Sequence, residues 1–399
     1  MADLKDFLPF YYLGKGVREI IRLGFKQLQE FKIGQMGESE IFLDINAGVA
    51  EKKEVYRRLL FFMEYLNSKG KVQEITKISL KILFSPNPIL YFGKRSVFMD
   101  LLVAFRPGTF DIDYRYNPMD GWAWTDLVGY INGNEIKFSM FQEKLKATID
   151  KLKNQNKEKC YIFGTGPSLE KAVERNWGDG YRVVCNTIVR DEELWNYISP
   201  DFIVAGDAIY HFGMSEIAQS FRSDLRKRLK TKPALFLYPS QFHPIVQNEF
   251  CQFEEYLVPI PIGWYRRVDI DLTQTFRLPA LGNILPLLML PLACTLSREV
   301  YLWGFDGRAP TDRLFWGNSP KHSYPEYLNE LQTAHPAFFN VNVPASNPTK
   351  YVRKVHGEQL DGLLRKAEKR GWNFIMMHPS WTPALNKRYI ENNENSIYP

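Results

Sequence analysis

The chain has 399 residues, 45% of them apolar and 15% aromatic, with 51 Lys+Arg against 45 Asp+Glu for a net charge of +6. That apolar content can bury a large core and excludes a disordered or low-complexity chain, while the length suits two domains. The small, evenly spread positive charge does not argue for nucleic acid, but it permits peripheral contact with an anionic membrane.

The chain divides near residue 155, giving an accessory region over 1–155, read as α+β, and a catalytic domain over 156–399. In the first region, 15–32 (KGVREIIRLGFKQLQEFK) has helical apolar spacing with basic residues mostly off the stripe. It fits an interfacial helix on an anionic leaflet or a surface helix packed on the core. A second helix is expected over 52–68. KISLKILF and SVFMDLLVAF read as strands separated by the turn signal SPNP. Residues 107–133, rich in Gly, Asp, Tyr and Trp, read as loops, followed by a helix over 139–153 and the charged linker KNQNKEK.

Beyond 155, short apolar runs alternate with helical stretches: CYIFG, YRVVCN, DFIVAGD, ALFLYP, YLVPIPI, EVYLWGFDG and NFIMMHP as strands. Between them lie the helical VRDEELWNYI, the basic EIAQSFRSDLRKRLK, the apolar NILPLLMLPLACTLS with its two prolines, and EQLDGLLRKAEKRG. Such alternation implies parallel strands with crossover helices, an α/β Rossmann-like sheet covered on both faces. No internal repeat is evident.

In sheets of this kind ligands bind at the carboxyl ends of the strands. Five tips there carry glycine or small polar residues: Gly164-Thr165-Gly166-Pro167-Ser168, Cys185-Asn186, Gly206-Asp207, Gly282-Asn283 at a helix start, and Gly304-Phe305-Asp306-Gly307-Arg308. Glycine lets backbone N–H groups approach a ligand, and a following helix N-terminus favours an anion. GTGPSL is neither the Walker loop, since no Lys-Ser/Thr follows, nor the dinucleotide fingerprint, since the third glycine is missing. A tight strand-to-helix turn would use the same residues.

Taken in order, IFGTGPSL, VVCN, the tip ending in Asp207, GN opening an apolar helix, EVYLWGFD, the pair His322-Ser323 and the terminal HPSWTPAL form a collinear series. Over about residues 158–390 this series resembles the bacterial sialyltransferases of glycosyltransferase family 42. The resemblance implies a cytidine monophosphate-activated sugar held by Gly164, Thr165, Gly166, Pro167, Ser168 and Asn186, with Gly282-Asn283 toward the sugar carboxylate or the phosphate. It also implies His322 as the catalytic histidine and Ser380, in Pro379-Ser380-Trp381, near the cytidine. Where the family stabilises the leaving phosphate with tyrosines, GFDGRAPTDRLFW has Arg308 and Arg313 with Phe315-Trp316, while Asp306, between glycines, reads as a brace of its loop or a nucleotide-sugar contact. Arginine clamps phosphate through paired donors. Asp207 has no equivalent in the family. With His211 after it, Asp207 is open to reading as a base, a nucleophile, an acceptor-binding group or a turn cap, so inversion and retention both stay open.

The implied activity is a metal-independent glycosyl transfer. An acidic 2-keto sugar, sialic acid or Kdo, passes from its CMP donor to a bacterial surface polysaccharide or lipid-linked glycan. No cofactor and no metal ligand is expected, because no DxD-like pair stands at a strand tip and a monophosphate donor carries no diphosphate to neutralise. Two alternatives remain: a magnesium-dependent pyrophosphokinase-like phosphotransferase, related to archaeal pterin enzymes that share the glycine motif, and a non-catalytic component of glycan assembly. His243 and His378, each before proline, read as turn residues, and His335 and His356 as structural. The run Arg222, Arg226, Lys227, Arg228, Lys230, Lys232 fits a solvated helix face or a contact with anionic lipid. Trp264-Tyr265 and Trp316 are candidates for stacking on sugar rings. Four widely spaced cysteines with no CxxC pair suit a reducing compartment without structural zinc. The lack of a bilayer-length apolar run and of a signal-peptide core suits a soluble, cytoplasmic protein.

Overall fold

A computed structural model describes residues 40–67, 70–94, 96–133, 136–155, 157–309, 319–342 and 359–390. The expected helix over 15–32, and Arg313, Phe315, Trp316 and His356, lie outside the described residues. The chain forms two compact units, Met1–Asn134 and Glu135–Pro399.

The first unit is built on four parallel strands, β1 (Glu40–Ile45), β2 (Lys71–Ile75), β3 (Ile89–Phe92) and β4 (Thr109–Asp111), in the order β2-β1-β3-β4. Helices α1 (Val49–Met63), α2 (Leu80–Leu83), α3 (Val97–Phe105) and α4 (Asp120–Asn132) alternate with them. This region is therefore α/β rather than α+β. KISLKILF and SVFMDLLVAF are not strands: they contain α2 and α3. Short apolar runs fit a strand or a helix equally by periodicity. The deciding groups are hydroxyls: Ser79 accepts from the Ile82 amide at 3.4 Å and Ser96 from the Met99 amide at 3.2 Å, capping both helices. The stretch read as loops holds β4 and α4. The helix over 52–68 is present as α1, ending at Met63.

Seven strands form the sheet of the second unit: β5 (Lys159–Phe163), β6 (Tyr181–Cys185), β7 (Phe202–Val204), β8 (Leu235–Pro239), β9 (Leu257–Ile260), β10 (Glu299–Trp303) and β11 (Asn373–Met376). All are parallel, in the order β11-β10-β5-β6-β7-β8-β9, a Rossmann-like α/β arrangement. Continuous burial of β7, β8 and β9 explains why these strands read as unbroken apolar runs. Pro259 is accommodated because β9 is an edge strand. The helix over 139–153, α5 (Phe138–Lys153), belongs to this unit and not to the first. Phe141, Leu145 and Ile149 on one face join its core, and the Gln142 amide donates to the Thr273 carbonyl at 2.7 Å.

Further helices are α6 (Glu192–Ile198), α7 (Glu216–Thr231), α8 (His243–Glu249), α9 (Leu272–Thr275), α10 (Leu290–Leu296), α11 (Leu328–Ala334), α12 (Pro336–Asn342), α13 (Gln359–Glu368) and α14 (Pro383–Asn386). The apolar run with two prolines is a π-turn over Leu285–Met289 running into α10, so the change of hydrogen-bond register falls where Pro291 has no N–H. The basic face of α7 is largely internal wiring. Arg222 donates to the His211 and Gly213 carbonyls, Arg228 to the Val189 carbonyl, and Arg226 pairs with Glu249 at 2.9 Å. Among the described residues no helix is long and apolar enough to cross a membrane.

Candidate active site at the strand tips

From β5 the chain runs outward strand by strand to β9, then returns to place β10 on the other side of β5. The sheet thus changes direction between β5 and β10, where parallel sheets open a crevice for ligands at their carboxyl ends. The tips of β5, β10 and β11 are locked together there. Gly164 N–H donates to Trp303 O at 2.8 Å and Gly166 N–H to Gly304 O at 2.7 Å. A Cβ on Gly166 would collide with the Asp306 carboxylate, and Gly304, at φ 77°, abuts Gly164. Both glycines of GTG are thus required by the neighbouring tip.

Asp306 accepts from the Ser168 amide at 3.1 Å and from its hydroxyl at 2.9 Å, and its carbonyl accepts from Trp381 N–H at 2.6 Å. The Ser380 hydroxyl donates to Phe305 O at 2.6 Å. His378, read from sequence as a turn residue, completes this frame. Its Nδ1–H donates to Pro379 O at 2.7 Å, while Nε2 lies 2.8 Å from Ser168 Oγ and accepts from Gly304 N–H at 3.1 Å. Burial lowers its proton affinity. The amides of Gly166 and Ser168 therefore face inward, onto Gly304 and Asp306, instead of presenting an anion cradle. Asp306, Ser168 and Ser380 brace the crevice.

Beside this frame stands a group with unmet polar atoms. The β6 tip ends at Asn186, at φ 52°, which opens a 3-10 turn (Asn186–Arg190). The Thr187 hydroxyl donates to His322 O at 2.6 Å. Arg190 donates to Ser323 O, pairs with Glu326 at 2.8 Å and stacks over the Tyr324 ring, whose hydroxyl donates to Asp224 at 2.7 Å. The segment carrying His322 is thereby clamped to β6 and α7.

His322 is fully buried, and its Nε2 lies 3.1 Å from Thr165 O. A carbonyl can only accept, so Nε2 carries the hydrogen and Nδ1 keeps the lone pair. Among the described residues that Nδ1 is buried without a partner, as is Asn186 Oδ1. Burial pulls the His322 pKa below the usual histidine value. The Thr165 carbonyl and the negative charges of Glu170, Asp191 and Asp306 oppose the shift.

Asp207 and Gly282-Asn283 stand instead with the β7 tip, where a Cβ on Gly206 would meet Leu288 at 3.3 Å and Ile284 at 3.4 Å. Asp207 Oδ1 accepts from the Ile209 and Tyr210 amides at 2.8 and 2.9 Å, which is a turn cap. Its N–H donates to Nδ1 of His211, a buried ring whose pKa is pushed down to about 3 by desolvation. Asn283, at φ 72°, accepts from the Leu285 amide at 2.9 Å and leaves the space beside Gly282 open. Arg308 lies half-buried in the loop after β10. Among the described residues, no three His, Cys, Asp or Glu side chains are grouped to hold a metal ion.

Compared with protein-family models, with curated proteins and with solved structures, the chain matches none.

Proposed function

We propose that the second unit is a glycosyltransferase that takes an acidic 2-keto sugar from a cytidine monophosphate donor and places it on a glycan or glycolipid hydroxyl. The observation that supports this reading most is that the buried Nδ1 of His322 and Oδ1 of Asn186, both at the strand tips, have no partner among the described residues. Leaving a buried acceptor unpaired costs about 1–3 kcal/mol, a cost that a ligand with hydroxyl or amine donors would remove. A nucleoside and a sugar acceptor both supply such donors.

In this proposal His322 is the general base. With Nε2–H fixed on Thr165 O, Nδ1 takes the proton of the acceptor hydroxyl as its oxygen attacks the sugar. The resulting imidazolium has both N–H groups bonded, one to Thr165 O and the other to the reacting oxygen. Glu170, Asp191 and Asp306 favour its positive charge. Asp207, held by two amides, is a poor nucleophile, so a single displacement at the sugar is favoured. Because the glycine-turn amides are engaged, the leaving phosphate falls to Arg308 and, by its place in the sequence, Arg313.

The test is release of cytidine monophosphate from CMP-sialic acid and CMP-Kdo in the presence of sialyl- and Kdo-accepting glycans. Turnover that drops at least a hundredfold in His322→Ala supports the proposal. Turnover at the wild-type rate in that variant, or phosphate transfer from ATP with magnesium instead, overturns it.

A further inference from the structure

Among the described residues, the first unit carries an apolar face outside its small core. Four large apolar side chains stand out between residues 80 and 101: Leu80 (74% exposed), Val97 (78%), Phe98 (54%) and Leu101 (51%). They lie on α2 and α3. Within α3, Met99 and Leu102 point into the small core with Phe42, Ile75 and Ile89, while Val97, Phe98 and Leu101 occupy the opposite side. A surface helix ordinarily turns polar residues outward, and VFMDLLVAF offers only Asp100.

The two helices are tied to one another. Arg106, at the end of α3, sends its buried guanidinium to the carbonyls closing α2 and the following turn: Leu83 at 2.9 Å, Ser85 at 2.6 Å and Asn87 at 2.7 Å. Burial lowers its pKa to about 10, and its bonds run to backbone carbonyls and to the Thr109 hydroxyl at 3.3 Å. The backbone that carries these exposed apolar side chains is thus hydrogen-bonded across the two helices.

Lysines border this surface. Lys77 precedes α2, Lys81 lies within it and Lys94 precedes α3, all three exposed. The nearby Glu74 is already paired with Lys52 at 3.0 Å. An apolar centre with a basic margin is complementary to a lipid surface of negative charge, where apolar side chains enter the acyl boundary and ammonium groups meet headgroup phosphates. Self-association through the same face would instead bring the lysines of two copies together, because a two-fold contact repeats its own charges. We infer that the α2–α3 face of the first unit docks the protein on a bilayer containing anionic lipid. This goes beyond the proposed transferase activity and does not depend on it.

The test is flotation of the full chain with phosphatidylcholine–phosphatidylglycerol vesicles and with phosphatidylcholine vesicles. Two double variants accompany it, Phe98→Ser/Leu101→Ser and Lys81→Glu/Lys94→Glu, each with its melting curve recorded. Wild type should float with the anionic vesicles and remain behind with the neutral ones. The apolar variant should lose about tenfold or more in partitioning with an unchanged melting curve, and the lysine variant should lose the preference for anionic lipid. Should the Ser variant unfold, Leu101→Gln alone serves, with the same expected direction. Wild-type protein that ignores anionic vesicles overturns the inference, as do variants that bind as well as wild type. A wild-type dimer in light scattering that Phe98→Ser/Leu101→Ser turns into monomer, without vesicle binding, assigns the face to self-association and also overturns it.

Discussion

Asp306 separates a brace from a ligand contact, and its replacement by alanine shows which it is. The carboxylate accepts two donors from Ser168, the amide at 3.1 Å and the hydroxyl at 2.9 Å. Hydrogen bonds to a charged partner are worth about 1.5–3 kcal/mol each, and partial exposure of Asp306 puts these near the low end. Asp306→Ala should therefore destabilise the unliganded second unit by about 2–4 kcal/mol, and Asp306→Asn, which keeps an acceptor, by about half of that.

Because Ser168 is the sole side-chain donor in the pair, Ser168→Ala should be strongly non-additive with Asp306→Ala. A coupling of about 1 kcal/mol or more is expected in the double-mutant cycle. Urea unfolding followed by indole emission provides the assay. Trp303 sits at this frame, its Nε1–H donating to Ser168 O at 2.9 Å and its ring 4.9 Å from that of His378. Amide exchange at Gly166 and Ser168 adds a local probe and should accelerate in the same order. If apo stability and exchange stay at wild-type values while nucleotide affinity falls, Asp306 contacts the ligand and the bracing argument is wrong.

Gly166→Ala places a methyl against the Asp306 carboxylate and 2.7 Å from Gly304 O, and should cost about 1–3 kcal/mol of stability by thermal or urea unfolding. Asp207→Asn keeps the oxygen that caps Ile209 and Tyr210, so transfer activity should stay within about tenfold of wild type; a loss of about a thousandfold would return Asp207 to the chemistry. Stability should fall on acidification below pH 6.5. His211 and His243 have folded pKa values lowered by burial to about 3 and about 4, so the unfolded chain binds protons that the folded chain refuses. Stability present above the unfolded value is lost as pH drops toward those folded values, at up to about 1.4 kcal/mol per pH unit for each ring. Urea midpoints at pH 7, 6 and 5 measure this, and a flat profile in wild type refutes it.

The parallel sheet of the second unit was legible because its strands are largely buried apolar runs, and β5, β6, β7 and β10 run into glycine, asparagine or aspartate tips. The first unit was not, since its longest apolar runs are helices. VFMDLLVAF satisfies a strand pattern as well as a helical one, and only the Ser96 cap before it separates the two. Its real strands span three to six residues, ILYF among them, and carry little pattern of their own. At the site, the positions of Thr165, Asn186 and Asp306 followed from strand ends.

What those residues do there depends on contacts that local spacing does not encode. Ser168 meets Asp306 across 138 residues and His378 across 210, and Arg190 reaches Ser323 across 133. A histidine at the end of the last strand was the available signal for His378, and proline after it pointed to a turn. The glycines show the same limit from the other side. GTGPSL looks identical whether its amides face a phosphate or, as found, a carboxylate from the next strand.

Titration of the unliganded protein with cytidine monophosphate, followed by thermal unfolding of wild type and of the His322→Ala and Asn186→Ala variants, bears most directly on the proposed chemistry. Wild type should be stabilised by about 2.7 kcal/mol when the nucleotide is at a hundred times its Kd, and both variants should need markedly more nucleotide for the same shift. No shift with cytidine monophosphate, together with a clear one from ATP and magnesium, would contradict it.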